Sequence, residues 1–93
     1  MITLTPDDLL HIRRMTSKLQ ICVFLMLKKR SKGNKIELTQ NTVPISRELN
    51  ISEPLVKDIL ERLILDEHIQ WENGFKIGIQ SGRYYIGSPN NGE

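Results

Sequence analysis

Apolar positions recur with several spacings along this chain, and each spacing predicts a different element. From Pro6 to about Leu27, apolar residues fall at 12, 15, 19, 22, 23 and 26, which is the repeat of a helix face. Thr5-Pro-Asp-Asp8 marks its start: Thr accepts from an early amide, Pro is pre-set for the first helical position, and the carboxylates favour the positive helix end. Thr16-Ser17 offers a point at which this stretch divides into a short helix and a longer one. Between Ile21 and Leu27 every residue is apolar. Such a segment is either the central core helix or a core helix whose back meets another subunit, through Ile21, Phe24 and Leu25. Ser31-Lys-Gly-Asn34 should end it, with Gly33 as a left-handed terminator.

Ile36-Glu-Leu-Thr39 then alternates apolar and polar, as a short strand does. Pro44 suits the first turn of a helix running to Leu49, capped by Asn41 or Thr42. Asn50 tolerates the left-handed conformation a tight turn needs, and Ile51 should point back into the core. Ser52 caps a further helix, with Pro54 early enough in it to cost little. Val56, Ile59, Leu60, Leu63 and Ile64 form its buried stripe; Glu53, Pro54, Lys57, Asp58, Glu61 and Arg62 face outward. Asn73-Gly74, between Ile69–Glu72 and Phe75–Ile79, is a strong hairpin signal, because a type I′ turn demands two positive φ angles. A second turn at Ser81-Gly82 sends Arg83-Tyr-Tyr-Ile86 back along the sheet. The expected organisation is one domain over residues 1–87, followed by a disordered tail, 88–93, with no apolar anchor.

Composition changes the picture in two respects. A chain of 93 residues supports a single small core, which favours self-association. Its charge is only +2 overall but is unevenly spread. Residues 1–35 carry eight basic side chains against two acidic ones, and residues 36–93 carry five against nine. That polarity predicts one surface that faces an anion. The longest apolar run is much shorter than the roughly 20 residues of a membrane span, and no secretory signal is legible, so a cytoplasmic protein without a membrane partner is expected. Cys22 is the one cysteine, which rules out an internal disulfide.

No phosphate loop, nucleophile elbow or dinucleotide fingerprint is present, and an enzyme is not expected. His11 and His68 lie far apart in sequence without a metal-ligand neighbour, and both read as surface or strand-edge residues. Asp58, Glu61 and Asp66 read as a solvated carboxylate set. Cys22 reads as a small buried hydrophobe. No metal or cofactor is called for.

The stretch Ile45-Ser-Arg-Glu-Leu-Asn-Ile-Ser-Glu-Pro-Leu-Val-Lys-Asp-Ile-Leu-Glu-Arg-Leu63, followed by the hairpin signal, resembles the winged helix-turn-helix proteins, over roughly Leu19 to Ile86. The resemblance implies an α+β fold with three or four helices and a small antiparallel sheet, the wing. It also implies that the helix after the turn enters the major groove of double-stranded DNA, with Ser52, Glu53, Pro54, Lys57 and Asp58 at the bases. Arg47, Lys76, Arg83, Lys28, Lys29 and Lys35 would then grip phosphates, and a homodimer is implied. The expected function is a sequence-specific regulator of transcription acting by operator occupancy. A plasmid or phage replication or partition protein is the near alternative. Residues 52–62 sum to −1, however, where the family usually offers neutral or basic groups. Carboxylates facing a polyanion weaken binding, and a Lys57–Glu61 pair would neutralise one of them. This acidic face on helix 53–65 favours the other alternative, a protein-interaction module.

Overall fold

The computed structural model of the chain describes residues 4–72 and 78–87. They form an α+β architecture in the order α1 (Pro6–Arg13), α2 (Lys18–Arg30), β1 (Lys35–Glu37), α3 (Thr42–Leu49), α4 (Glu53–Leu65), β2 (Ile69–Trp71) and β3 (Arg83–Ile86). The first helical stretch is divided at Thr16-Ser17. Ser17 caps α2 by accepting from the Gln20 amide at 3.1 Å, while the Gln20 side chain accepts from the Thr16 amide at 2.9 Å. Thr5 and Asp8 cap α1 reciprocally.

Gly33 does not end α2 as expected. Ser31 leaves the helix in an extended conformation and its hydroxyl donates to the Lys28 carbonyl at 2.8 Å. Gly33 and Asn34, with φ of 59° and 61°, instead form a two-residue turn between Lys32 and Lys35, whose backbones bond each other at 3.0 and 3.1 Å. Two consecutive positive φ angles are what a type I′ hairpin turn requires.

The three strands are antiparallel in the order β1-β3-β2, so β3 is central; Tyr84 lies opposite Ile36 on one side and Trp71 on the other. The Tyr84 ring is fully buried, and its hydroxyl accepts from the Gln80 amide at 2.7 Å, which ties residues 78–80 to the sheet. Burial pushes the Tyr84 phenol up despite the Gln80 bond. The Asn73-Gly74 turn and most of the strand expected before Ile79 lie outside the described residues, as does the 88–93 tail. The core sits where α4 lays Val56, Ile59, Leu60, Leu63 and Ile64 against α2, α3 and β2, around Phe24, Leu27 and Ile45. Phe24 is wholly buried within the chain, which removes it from the expected dimer interface.

Helix α1 joins this core by polar groups and by half-buried Ile12. Its buried residues are Asp8 and His11, whereas Leu9 and Leu10 are exposed. His11 and His68, 57 positions apart, are both buried and meet Nδ1 to Nδ1 at 2.9 Å; of the surface or strand-edge positions expected, neither is at the surface, and His68 directly precedes β2. Two neutral rings satisfy this contact when His68 donates to His11, whose Nε2–H then faces Asp7 at 3.5 Å. His68 is set there by the end of α4. Glu67 is left-handed, and the His68 amide bonds the Leu63 carbonyl at 2.9 Å, a Schellman ending.

Burial disfavours the His68 imidazolium; repulsion between two protonated rings and the Arg14 charge add to this, against an opposing pull from Asp66, and its pKa lies below 6.5. Below pH 6.5 the unfolded chain therefore binds a proton that the folded chain resists, so stability falls as pH falls. Urea denaturation should show the midpoint declining as pH is lowered from about 7 to about 5, and His68→Gln should flatten that decline.

Candidate nucleic-acid interface

The outward position of α4 is fixed by the way α3 ends. Asn50 has φ 57°, its amide bonds the Arg47 carbonyl, and the Ile51 amide returns to the Ser46 carbonyl at 3.1 Å. The Ser46 hydroxyl donates to the Ile51 carbonyl at 2.6 Å, closing the turn from the other side. Ile51 packs against the core as expected. Ser52 then caps α4, its hydroxyl accepting from the Leu55 amide at 3.3 Å.

Because the α4 stripe is buried, its opposite face is open: Ser52, Glu53, Pro54, Lys57 and Asp58 are all exposed. Lys57 and Glu61 line a cleft of about 340 Å³ with Thr39, Thr42 and Ile79, the last of these on the segment that leads into β3. The expected Lys57–Glu61 pair is not formed, and Lys57 has no ion-pair partner among the described residues. Arg62 instead pairs with Asp66 at 3.1 Å.

The cations expected to hold phosphates divide sharply. Lys28 is no surface group: its ammonium lies 2.9 Å from Asp8, with side-chain exposures of 5% and 3%. Burial works to raise the Asp8 pKa, yet the Thr5 amide and Lys28 outweigh it and hold the carboxyl below 3.8. Lys29 is exposed but paired with Glu48 at 3.0 Å, and Arg83 with Glu72 at 3.1 Å. Arg47 is exposed on the last turn of α3. Lys76 lies outside the described residues. Lys35 is half-buried, its ammonium 5.2 Å from the centre of the Tyr85 ring. Of the expected dimer residues, Ile21 and Leu25 are half-buried, and Cys22 beside them is exposed and not a core residue.

A second cleft, of about 360 Å³, opens between the end of α2 and β1. Arg30, Lys32, Lys35, Gln40, Asn41 and Arg83 line it. The sequence held a signal for its form, since Gly33-Asn34 just ahead of the alternating Ile36–Thr39 run is a dipeptide that marks hairpin turns. What position along the chain did not disclose is that Gln40, Asn41 and Arg83 would close on the same space. No helix among the described residues is long and apolar enough to cross a membrane. Those residues hold no group of three or more His, Cys, Asp or Glu that could bind a metal ion.

No family model matches the chain, and no curated protein or solved structure shows significant similarity to it.

The two lysines at the end of α2 should separate by measurement. Asp8→Asn leaves the buried Lys28 ammonium without its counter-charge and should cost about 3 kcal/mol in urea denaturation. Lys29→Ala removes an exposed pair and should cost less than about 0.5 kcal/mol.

Proposed function

We propose that this chain is a winged helix-turn-helix protein that binds double-stranded DNA, with α4 lying in the major groove. The observation that carries this reading is the α3–Asn50–α4 unit, whose second helix buries one face and offers Lys57, without an ion-pair partner among the described residues, on the other. An ammonium there can donate to guanine O6 and N7, and Glu53 can accept from a cytosine amino group. Capping uses the acceptor side of the Ser52 hydroxyl and leaves its proton for a phosphate oxygen. Arg47 stands one turn before the reading helix, in position for the adjoining backbone.

Occupancy of an operator by a dimer, blocking transcription, is the mode that this contact chemistry supports; binding at a replication origin would use the same chemistry. Pairing of two copies is supported by the outward side of α2, where Leu19 and Cys22 are exposed beside half-buried Ile21 and Leu25.

A second reading rests on a specific observation. Leu55 and Leu65 on α4 are 37% and 49% exposed among the carboxylates Glu53, Asp58 and Glu61, a mixed surface that suits a protein partner. Salt dependence distinguishes the two. In a titration of duplex DNA, Lys57→Ala should weaken binding and lower the slope of log affinity against log salt by about one. Absence of measurable duplex binding by the unaltered protein at about 50 mM salt would sink the DNA reading in favour of the protein partner.

A further inference from the structure

We propose that the cleft between the end of α2 and β1 is a second backbone-binding site, which takes phosphodiesters of the same duplex that α4 reads. It rests on the reading of α4 given above and supplies what that helix lacks. The α4 surface is mildly acidic, so affinity must come from cations elsewhere.

Three cations of the cleft, Arg30, Lys32 and Lys35, have no carboxylate partner among the described residues. Arg30 is oriented by the Asn41 side-chain oxygen at 2.7 Å from its Nε, which positions the guanidinium without cancelling its charge. Lys35 lies over the Tyr85 ring. Lys32 has no carboxylate partner among the described residues. Arg83 is answered by Glu72, and Glu37 is the one acidic residue in the lining. The cleft therefore keeps a surplus of positive charge.

That surplus is also held under repulsion. The Gly33-Asn34 turn sets Lys32 and Lys35 directly opposite each other in a two-residue hairpin. Like charges across a strand pair destabilise the free protein, and a phosphate seated between them relieves the repulsion. Such an arrangement suits a bound anion better than a solvated surface. Position links the cleft to α4: of four consecutive residues, Thr39 and Thr42 line the Lys57 cleft, and Gln40 and Asn41 line this one. A backbone leaving the groove beside Lys57 crosses that short wall and meets Arg30, Lys32 and Lys35.

The test measures anisotropy of a labelled random-sequence duplex against the full chain, from about 50 to about 200 mM salt. Lys32→Glu should lower affinity about tenfold at low salt and reduce the salt slope by about one or more; Lys32→Gln with Lys35→Gln should reduce it by about two. Lys18→Glu, the same charge change on the exposed start of α2, should do much less. In the free protein Lys32→Glu turns an opposed like pair into a complementary one, so its thermal midpoint should rise while its DNA affinity falls. A merely structural lysine would not give that inverse pattern.

Unchanged affinity and slope in the cleft variants, with Lys57→Ala still weakening binding, would overturn the cleft and leave the α4 reading intact. Weakening by the cleft variants alone would support the cleft as a phosphate site and overturn the placement of α4 in the groove. Failure of the unaltered protein to bind the duplex overturns both.

Discussion

The fold depends on the burial of one side of α4. Val56, Ile59, Leu60, Leu63 and Ile64 are each at most 8% exposed, and each contributes about 1.5 to 3 kcal/mol by leaving water. Those five side chains bring α2, α3 and β2 onto a common surface, since every one of these elements packs on α4. Burying that side also fixes the other: a helix has no third option once its stripe is committed, so Lys57 and its neighbours face out. The candidate site and the core are thus two consequences of one amphipathic pattern.

Elsewhere the chain spends charge on structure. Helix α1 buries little apolar surface beyond Ile12 and is fastened by the Asp8–Lys28 pair and the His11–His68 contact. Gly87 completes this corner: its φ is 82°, and a Cβ there would lie 3.1 Å from an Asp7 carboxylate oxygen. A buried ion pair of this kind adds little net stability compared with apolar packing, but removal of one partner is severe. It gives the α1 attachment a sensitivity to acid that an apolar seam would lack. His68 weakens it below pH 6.5, and Asp8 does so only in the region of 3.8 and below, because its folded pKa is depressed.

Under the proposed function, specificity and affinity are assigned to different places. A helix carrying Glu53, Asp58 and Glu61 is a poor general anchor for a polyanion, yet carboxylates at bases discriminate against sequences that offer no amino group. Backbone cations hold without reading. Arg30 and Lys32, exposed in the β1 cleft and without a carboxylate partner among the described residues, can release counterions on binding, whereas Lys28 has already exchanged water for Asp8 and cannot.

Much of the architecture was legible in the sequence because it follows from local rules. The α4 stripe follows from helical spacing, the Ser52 cap from side-chain hydrogen bonding, the left-handed Asn50 from its tolerance of positive φ, and the division at Thr16-Ser17 from the same capping chemistry. The exposure of Ser52, Glu53, Pro54, Lys57 and Asp58 on α4 was legible for the same reason. What depends on approach between distant segments was not. His11 and His68 look solvated until the fold brings them together, and Phe24 looks available to a partner until the core closes around it, with the His11 ring 6.2 Å away. Lys28, Lys29, Lys32 and Lys35 look alike as a run of charge, yet one is buried on Asp8, one is paired with Glu48, and two face each other across a turn. Which segments become helices and strands, and which side of each is apolar, can be read along the chain, because those properties rest on neighbours within a few residues. Only the tertiary structure decided which charges remain open to solvent, because the desolvation and pairing of a side chain are set by groups that the chain brings in from elsewhere.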